Sequence, residues 1–396
     1  MESGHREIDN LILVNPRDWS REIIEDDDFA YASSRVKAKE AFLLDRQEYD
    51  HLIYNDRVEA DWIAWWARAF NSGDYEVHEG IRETLIHNAN VSNKYFREVS
   101  GDSGLAEIFL SEYDYANAKV MLKTYILHVI LGQPISERGS RNNTDLAELL
   151  KTDDNLFFAG GNLSIDVLAD FIAGEIHGVP AEIVLPELYP KYLGMAISAI
   201  KQDIDNSETN QLASVDRNMD KARYRHFLEA SEAPATAKYR ESLYDYISIQ
   251  ADSSNLQSFF RARAKNLNPI EFQAEFVSGG TIAFSDYADL FLLSPEELED
   301  ADILTDHQSL IGDLIDIANE VSPEEFLEEF SYTRDNIIMR YANRSVGMIY
   351  GAEVLIGIWL ARKNEITNLR IILVGHEQKI DKDRVESIMR NLYGRV

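Results

Sequence analysis

Apolar residues recur every three to four positions over long stretches of the chain, the period of an amphipathic helix. Leu355, Ile358 and Trp359, followed by Arg362, fall on that spacing, as do Leu256, Phe259 and Phe260, followed by Arg263. Asn-Gly and Asp-Gly, the strongest short hairpin signals, do not occur, and only nine prolines interrupt 396 residues. The pattern predicts an all-α fold. Polar runs at residues 133–143, 203–216 and 294–302 lack an apolar stripe and read as loops. The most apolar window, residues 346–361, is shorter than the roughly 20 residues of a bilayer span and contains Glu353. It reads as a buried helix.

Three helical segments align on an asparagine. The first carries Asp114, Asn117, Met121 and Leu122; the second Asp252, Asn255, Phe259 and Phe260; the third Glu365, Asn368, Ile372 and Leu373. Two residues beyond each asparagine stands a long polar side chain, Lys119, Gln257 or Arg370. On a helix the acid, the asparagine and the apolar residue four later share one face. The asparagine amide is then placed to tie a neighbouring backbone.

A second element recurs in the same order. Gly160-Gly161-Asn162-Leu163-Ser164 precedes a helix with Val167, Leu168 and Phe171, and Gly279-Gly280-Thr281-Ile282-Ala283 precedes one with Tyr287, Leu290 and Phe291. A helix-start turn needing positive φ explains these pairs. An anion nest is the weaker reading, because no Lys or Arg follows closely. Three helical units follow, at residues 26–150, 151–270 and 271–396, after a polar extension at 1–25. Each closes with an acid–asparagine helix, and the second and third open after a Gly-Gly turn. Such self-similarity marks units that complete one another's cores.

Composition narrows the chemistry. Lys and Arg number 39 against 69 Asp and Glu, a net charge of −30. That excludes a nucleic-acid binder with a basic footprint, and it opposes docking on anionic lipid. The chain has no cysteine, which removes disulfides, Cys-ligated zinc, iron–sulfur clusters and thiol nucleophiles. Residues 1–10 are polar and lack the apolar stretch of a signal peptide, so the chain reads as soluble and cytoplasmic. The common phosphate-binding loops and the Gly-x-Ser-x-Gly elbow are missing. His78-Glu79 begins like a zinc helix, but Arg82 stands where the second histidine belongs. His87, His128 and His226 read as surface or core residues. No catalytic, cofactor or metal site is assigned.

Two features leave alternatives open. Trp62, Trp65 and Trp66 form either a packing cluster or an exposed aromatic anchor for a protein partner. Glu353, set in an apolar stretch, needs either a basic neighbour or a partner contact, since a dry unpaired carboxylate is costly.

The stretch at 351–373 opens Gly351-Ala352-Glu353, continues through an apolar helix and closes on Asn368-Leu369-Arg370-Ile371-Ile372. It resembles the C subunit of V-type and archaeal-type (A-type) ATP synthases, the counterpart of the eukaryotic d subunit. Asp114-Tyr115, Asn117, Lys119 and Leu122-Lys123 match that family's first acid–asparagine helix. Phe29, Tyr31, Arg35-Val36 and Leu43-Leu44 match its opening, and residues 259–263 its middle helix. The resemblance runs in order over residues 26–390. Val354 departs from the family's usual proline, and the chain is longer than the family norm.

The resemblance implies three similar units in a pseudo-threefold funnel, with no nucleotide site or catalytic residue. It implies a central-stalk adaptor joining the central shaft to the membrane rotor (proteolipid) ring and passing torque for proton or sodium transport. The adaptor would sit on the cytoplasmic face through protein partners, without direct lipid insertion. A stand-alone helical-repeat scaffold or assembly factor is the alternative, and an enzyme with dispersed carboxylates comes third.

Overall fold

The computed structural model describes residues 29–54, 81–133, 146–151, 157–158, 160–179, 183–206, 211–294, 297 and 326–394. Every regular element among the described residues is helical. In chain order these are α1 (Ala30–Glu40), α2 (Arg46–Tyr54), α3 (Ile81–Ser100), α4 (Leu105–Tyr125), α5 (Leu146–Leu150), α6 (Ile165–His177) and α7 (Leu188–Asp205). There follow α8 (Gln211–Ser231), α9 (Arg240–Ala264), α10 (Pro269–Glu275), α11 (Phe284–Leu290), α12 (Phe326–Asn343), α13 (Ala352–Gln378) and α14 (Lys382–Ser387). The chain divides into two compact units, one of residues 1–101, 248–272 and 280–396, the other of 102–247 and 273–279.

The first unit is organised on α13, which packs against α1, α3, α12 and α14. Val354, Leu355, Ile356, Ile358, Trp359 and Leu360 are all buried. A helix apolar on every side belongs inside a core. Trp359 stacks on Phe96 at 5.2 Å, and its indole N–H donates to Asn93 Oδ1 at 2.9 Å. Further along, Leu369, Ile372 and Leu373 join Leu44, Tyr49, Leu52, Ile53, Val385 and Met389. A separate aromatic cluster surrounds Phe259, whose ring lies 6.0, 5.5 and 4.9 Å from those of Phe272, Tyr287 and Phe291.

The second unit is built on α4, against which α5, α6 and α8 pack, while α7 lies along α8. Leu122, Leu150, Leu168, Ile172, Leu193, Ile197, Val215 and Met219 form its core.

Two expectations need correction. The acidic run 203–216 is largely helical, because α7 reaches Asp205 and α8 begins at Gln211. Its charge is met locally: the Asp203 carboxylate accepts from Ser214 Oγ, from Arg217 Nη2 at 2.9 Å and from Asn218 Nδ2 at 3.2 Å. Nor is the window 346–361 helical throughout. Helix α13 starts only at Ala352, after Gly351 at φ 134°, and Val346 and Ile349 are exposed. Trp62, Trp65, Trp66, residues 1–25 and most of the runs 133–143 and 294–302 lie outside the described residues.

Candidate functional site

The sequence signatures meet in three fastenings of loop backbone to helix. In the second unit Asp114 stands midway along α4 and is 1% exposed. Its carboxylate accepts the backbone N–H groups of Asn162 and Leu163, each at 3.0 Å, and the hydroxyl of Tyr189. One turn on, Asn117 pairs both ways with Phe158: its Nδ2 donates to the carbonyl and its Oδ1 accepts the N–H, each at 2.8 Å. The loop passes so close that a Cβ on Gly161 would overlap the Asp114 carboxylate. Gly160 turns the chain at φ 94°, where L-residues are strained. Ser164 then caps α6 by accepting the Val167 N–H at 3.3 Å.

The first unit repeats this with Asp252 on α9. The carboxylate accepts the Thr281 N–H at 2.8 Å, the Thr281 hydroxyl at 2.7 Å and the Ile282 N–H at 3.3 Å. Gly279 has φ 109°, and a Cβ on Gly280 would meet the Asp252 carboxylate as at Gly161. Asn255 is fully buried one turn later, and α11 begins just after Ala283.

The third acid, Glu365 on α13, reaches a loop from the start of the described chain. Its Oε1 accepts the Leu44 N–H at 2.7 Å, and its Oε2 the Arg362 guanidinium at 2.6 Å. Burial raises the Glu365 carboxyl above its ordinary value, and Arg362 and the Leu44 N–H oppose that rise. Leu44, Leu163 and Ile282 are thus alike: each donates its N–H to a buried acid, two residues before a helix begins. Asp45 and Glu48 then cap α2 reciprocally, at 3.0 and 2.6 Å. Asn368 holds Arg390 as Asn117 holds Phe158, accepting its N–H at 2.8 Å and donating to its carbonyl at 3.1 Å.

Three further asparagines fasten the same C-terminal segment. The Asn391 N–H donates to Asn336 Oδ1, Asn364 Nδ2 donates to the Asn391 carbonyl, and the Gly394 N–H donates to Asn343 Oδ1, at 2.8 to 2.9 Å. The sequence pattern gives these residues no role, and Leu44 enters it only through the resemblance. The Asp45-Arg-Gln-Glu48 capping pattern was the one signal available for the latter.

Other singled-out residues fall elsewhere. Lys119 forms an ion pair with Asp220 at 2.6 Å, and Arg370 is exposed. Glu353 is half-buried in the first turn of α13, beside Gly351, where a carboxylate complements the helix dipole. His226, 4% exposed, lies edge-on to Tyr189 at 4.7 Å, with its Nδ1 3.1 Å from the Tyr115 hydroxyl. Burial lowers its pKa to about 4, so the ring is neutral near pH 7 and shares one hydrogen bond with the tyrosine hydroxyl. Among the described residues no group of three or more histidines and carboxylates is placed to hold a metal. No described helix is long and apolar enough to cross a membrane.

A family model for the ATP synthase (C/AC39) subunit matches residues 32–388. The chain belongs to that family. The A-type ATP synthase C subunit of Haloquadratum walsbyi is 24% identical to this C/AC39 chain over 371 residues, covering 90% of it and 96% of the relative. The C subunit of Haloferax volcanii is 24% identical over 373 residues, covering 90% and 96%. That of Halobacterium salinarum is 20% identical over 381 residues, covering 91% and 96%. All three acid–asparagine pairs of this C/AC39 protein lie inside the matched span.

Proposed function

We propose that the protein is a non-catalytic central-stalk adaptor of a rotary A/V-type ATPase. It joins the central shaft to the membrane proteolipid ring and passes torque between them during proton or sodium transport. It sits on the cytoplasmic face, held by those protein partners without direct lipid insertion. The observation that carries this reading is the C/AC39 match over residues 32–388, supported by relatives named as the C subunit of A-type ATP synthase. The fastenings fit the role. A torque-bearing part needs loops that do not yield, and a loop whose N–H groups end on a buried carboxylate has no cheap alternative partner.

The same reading makes the units at 26–150, 151–270 and 271–396 structural equivalents in a pseudo-threefold funnel, with Asn117, Asn255 and Asn368 at matching positions. Affinity purification of the full chain from its native membranes tests the function. Recovery of shaft subunits and proteolipid ring in one complex is the expected result, and recovery without either contradicts the reading. Calorimetry supplies an independent check. The isolated chain should take up no ATP, whereas stoichiometric, magnesium-dependent binding would refute a non-catalytic role.

A further inference from the structure

Four asparagines on the paired helices α12 and α13 read one stretch of backbone. Asn336, Asn343, Asn364 and Asn368 make six hydrogen bonds to main-chain groups of residues 390–394. Asn368 takes the N–H and carbonyl of Arg390, and Asn336 and Asn364 take those of Asn391. Asn343 donates to the Leu392 carbonyl at 3.4 Å and accepts the Gly394 N–H at 2.8 Å. Residues 389–392 lie in neither helix nor strand, so the amides stand in for a ladder.

One asparagine, Asn117, is enough to hold Phe158 in the first fastening. Four of them following one segment make a surface that grips main chain whatever its sequence, because each amide carries both donors and acceptors. Peptide sites work this way: backbone bonds give the hold, and a few side-chain contacts select. Two such contacts are present. Arg390 Nε donates to Asp335 Oδ2 at 3.1 Å, and its guanidinium lies 5.7 Å from the Tyr332 ring; Asp335 also meets Arg334 at 3.0 Å. Three residues on, the Tyr393 hydroxyl shares a hydrogen bond with Ser345 Oγ at 2.8 Å. Asn391, between them, is exposed.

We propose that this face of α12 and α13 is a peptide-binding groove, filled in cis by residues 388–394, which accepts in their place an extended segment of a partner protein. That segment carries a basic residue for Asp335 and Tyr332, followed three positions later by a tyrosine for Ser345. A partner of this kind fits better than the same segment of a second copy, since two chains of net charge −30 repel one another, whereas a basic segment is attracted. The cis segment is tethered to α14 and competes at high effective concentration. It therefore sets the threshold that a partner must exceed. This groove stands independently of the adaptor reading.

The test is fluorescence anisotropy of a labelled peptide with the sequence of residues 387–396, added to the full chain. The double variant Arg390→Glu, Tyr393→Ala weakens the cis segment and leaves every groove residue in place. It should bind the peptide on the order of tenfold more tightly than the wild-type chain does, or more, and the peptide should raise its melting temperature. Arg390→Ala, a milder change, should move the same way. A peptide carrying Asn391→Pro lacks the N–H that Asn336 accepts and should bind on the order of tenfold more weakly. Absence of binding to either variant overturns the proposal, as does equal binding by variants and wild type, or a proline peptide that binds like its parent. A double variant that melts lower and is not restored by peptide shows that the segment is a fixed part of the fold. Dimers of the wild-type chain without peptide binding would make the occupant a second copy and contradict the partner assignment.

Discussion

Asp114 in the second unit and Glu365 in the first fasten the same kind of loop with side chains that differ by one methylene. Asp114 is short, so the loop must lie against α4, and only glycine fits at position 161. Its donors are two backbone N–H groups and a tyrosine hydroxyl, all neutral. Glu365 reaches farther from α13. Phe42 stands where Gly161 stands, and a buried guanidinium, Arg362, supplies the second donor. What recurs is the position of the fastening; its reach decides whether glycine or a side chain follows, and which donors complete it. Asp252 agrees, being short, beside Gly280, and satisfied by neutral donors including the Thr281 hydroxyl.

Breaking the two fastenings should therefore cost different amounts. Glu365→Leu leaves the Arg362 charge buried and without its carboxylate, a loss of about 3–5 kcal/mol, read by chemical denaturation of the full chain. Asp114→Asn, which keeps an acceptor and strands no charge, should cost less. Equal losses would dissolve the distinction.

The second unit also carries an acid sensitivity. His226 has a native pKa of about 4 against 6.5 for the free group, so the unfolded chain binds more protons between those values. Stability present above pH 6.5 is lost as pH falls toward about 4, by up to about 3 kcal/mol. His226→Gln should flatten the melting temperature across that window, and an unchanged slope would show that other groups set it.

Gly161→Ala and Gly280→Ala push a methyl group onto a carboxylate and should each cost about 1–3 kcal/mol. Phe42→Gly, at the corresponding place beside Glu365, should not cause such a clash and should change the melting temperature less. The smallest effect belongs to the asparagines. Asn117→Leu strands the N–H and carbonyl of Phe158, which lie partly in solvent, so a loss near the low end of about 1–3 kcal/mol is expected. Asn255→Leu, at a fully buried asparagine flanked by buried Leu256 and Phe259, should exceed it.

The helical class and the acid–asparagine face were legible because both depend on spacing along one helix. The Gly-Gly turns were legible because a positive φ at Gly160 and Gly279 and a carboxylate against Gly161 and Gly280 both favour glycine. The third fastening was not. Leu44 and Glu365 are separated by 321 positions, and a glutamate leaves no glycine mark on the loop it holds. The asparagines at 336, 343 and 364 give no pattern until the C-terminal segment lies across them. Mean hydropathy took residues 346–351 into a buried helix, since it does not register the backbone break at Gly351. The lack of an apolar stripe made 203–216 read as a loop, although Asp203 of α7 meets Ser214, Arg217 and Asn218 of α8.

Amide hydrogen exchange on the full chain tests most directly whether the three acids are equivalent fasteners. The N–H groups of Leu44, Leu163 and Ile282 lie at loop ends, outside any helical ladder, and each donates to a buried carboxylate. All three should exchange orders of magnitude more slowly than exposed turn amides such as that of Gly347. Fast exchange at all three would show that the acids do not hold these loops, and slow exchange at one alone would show that the three fastenings are not equivalent.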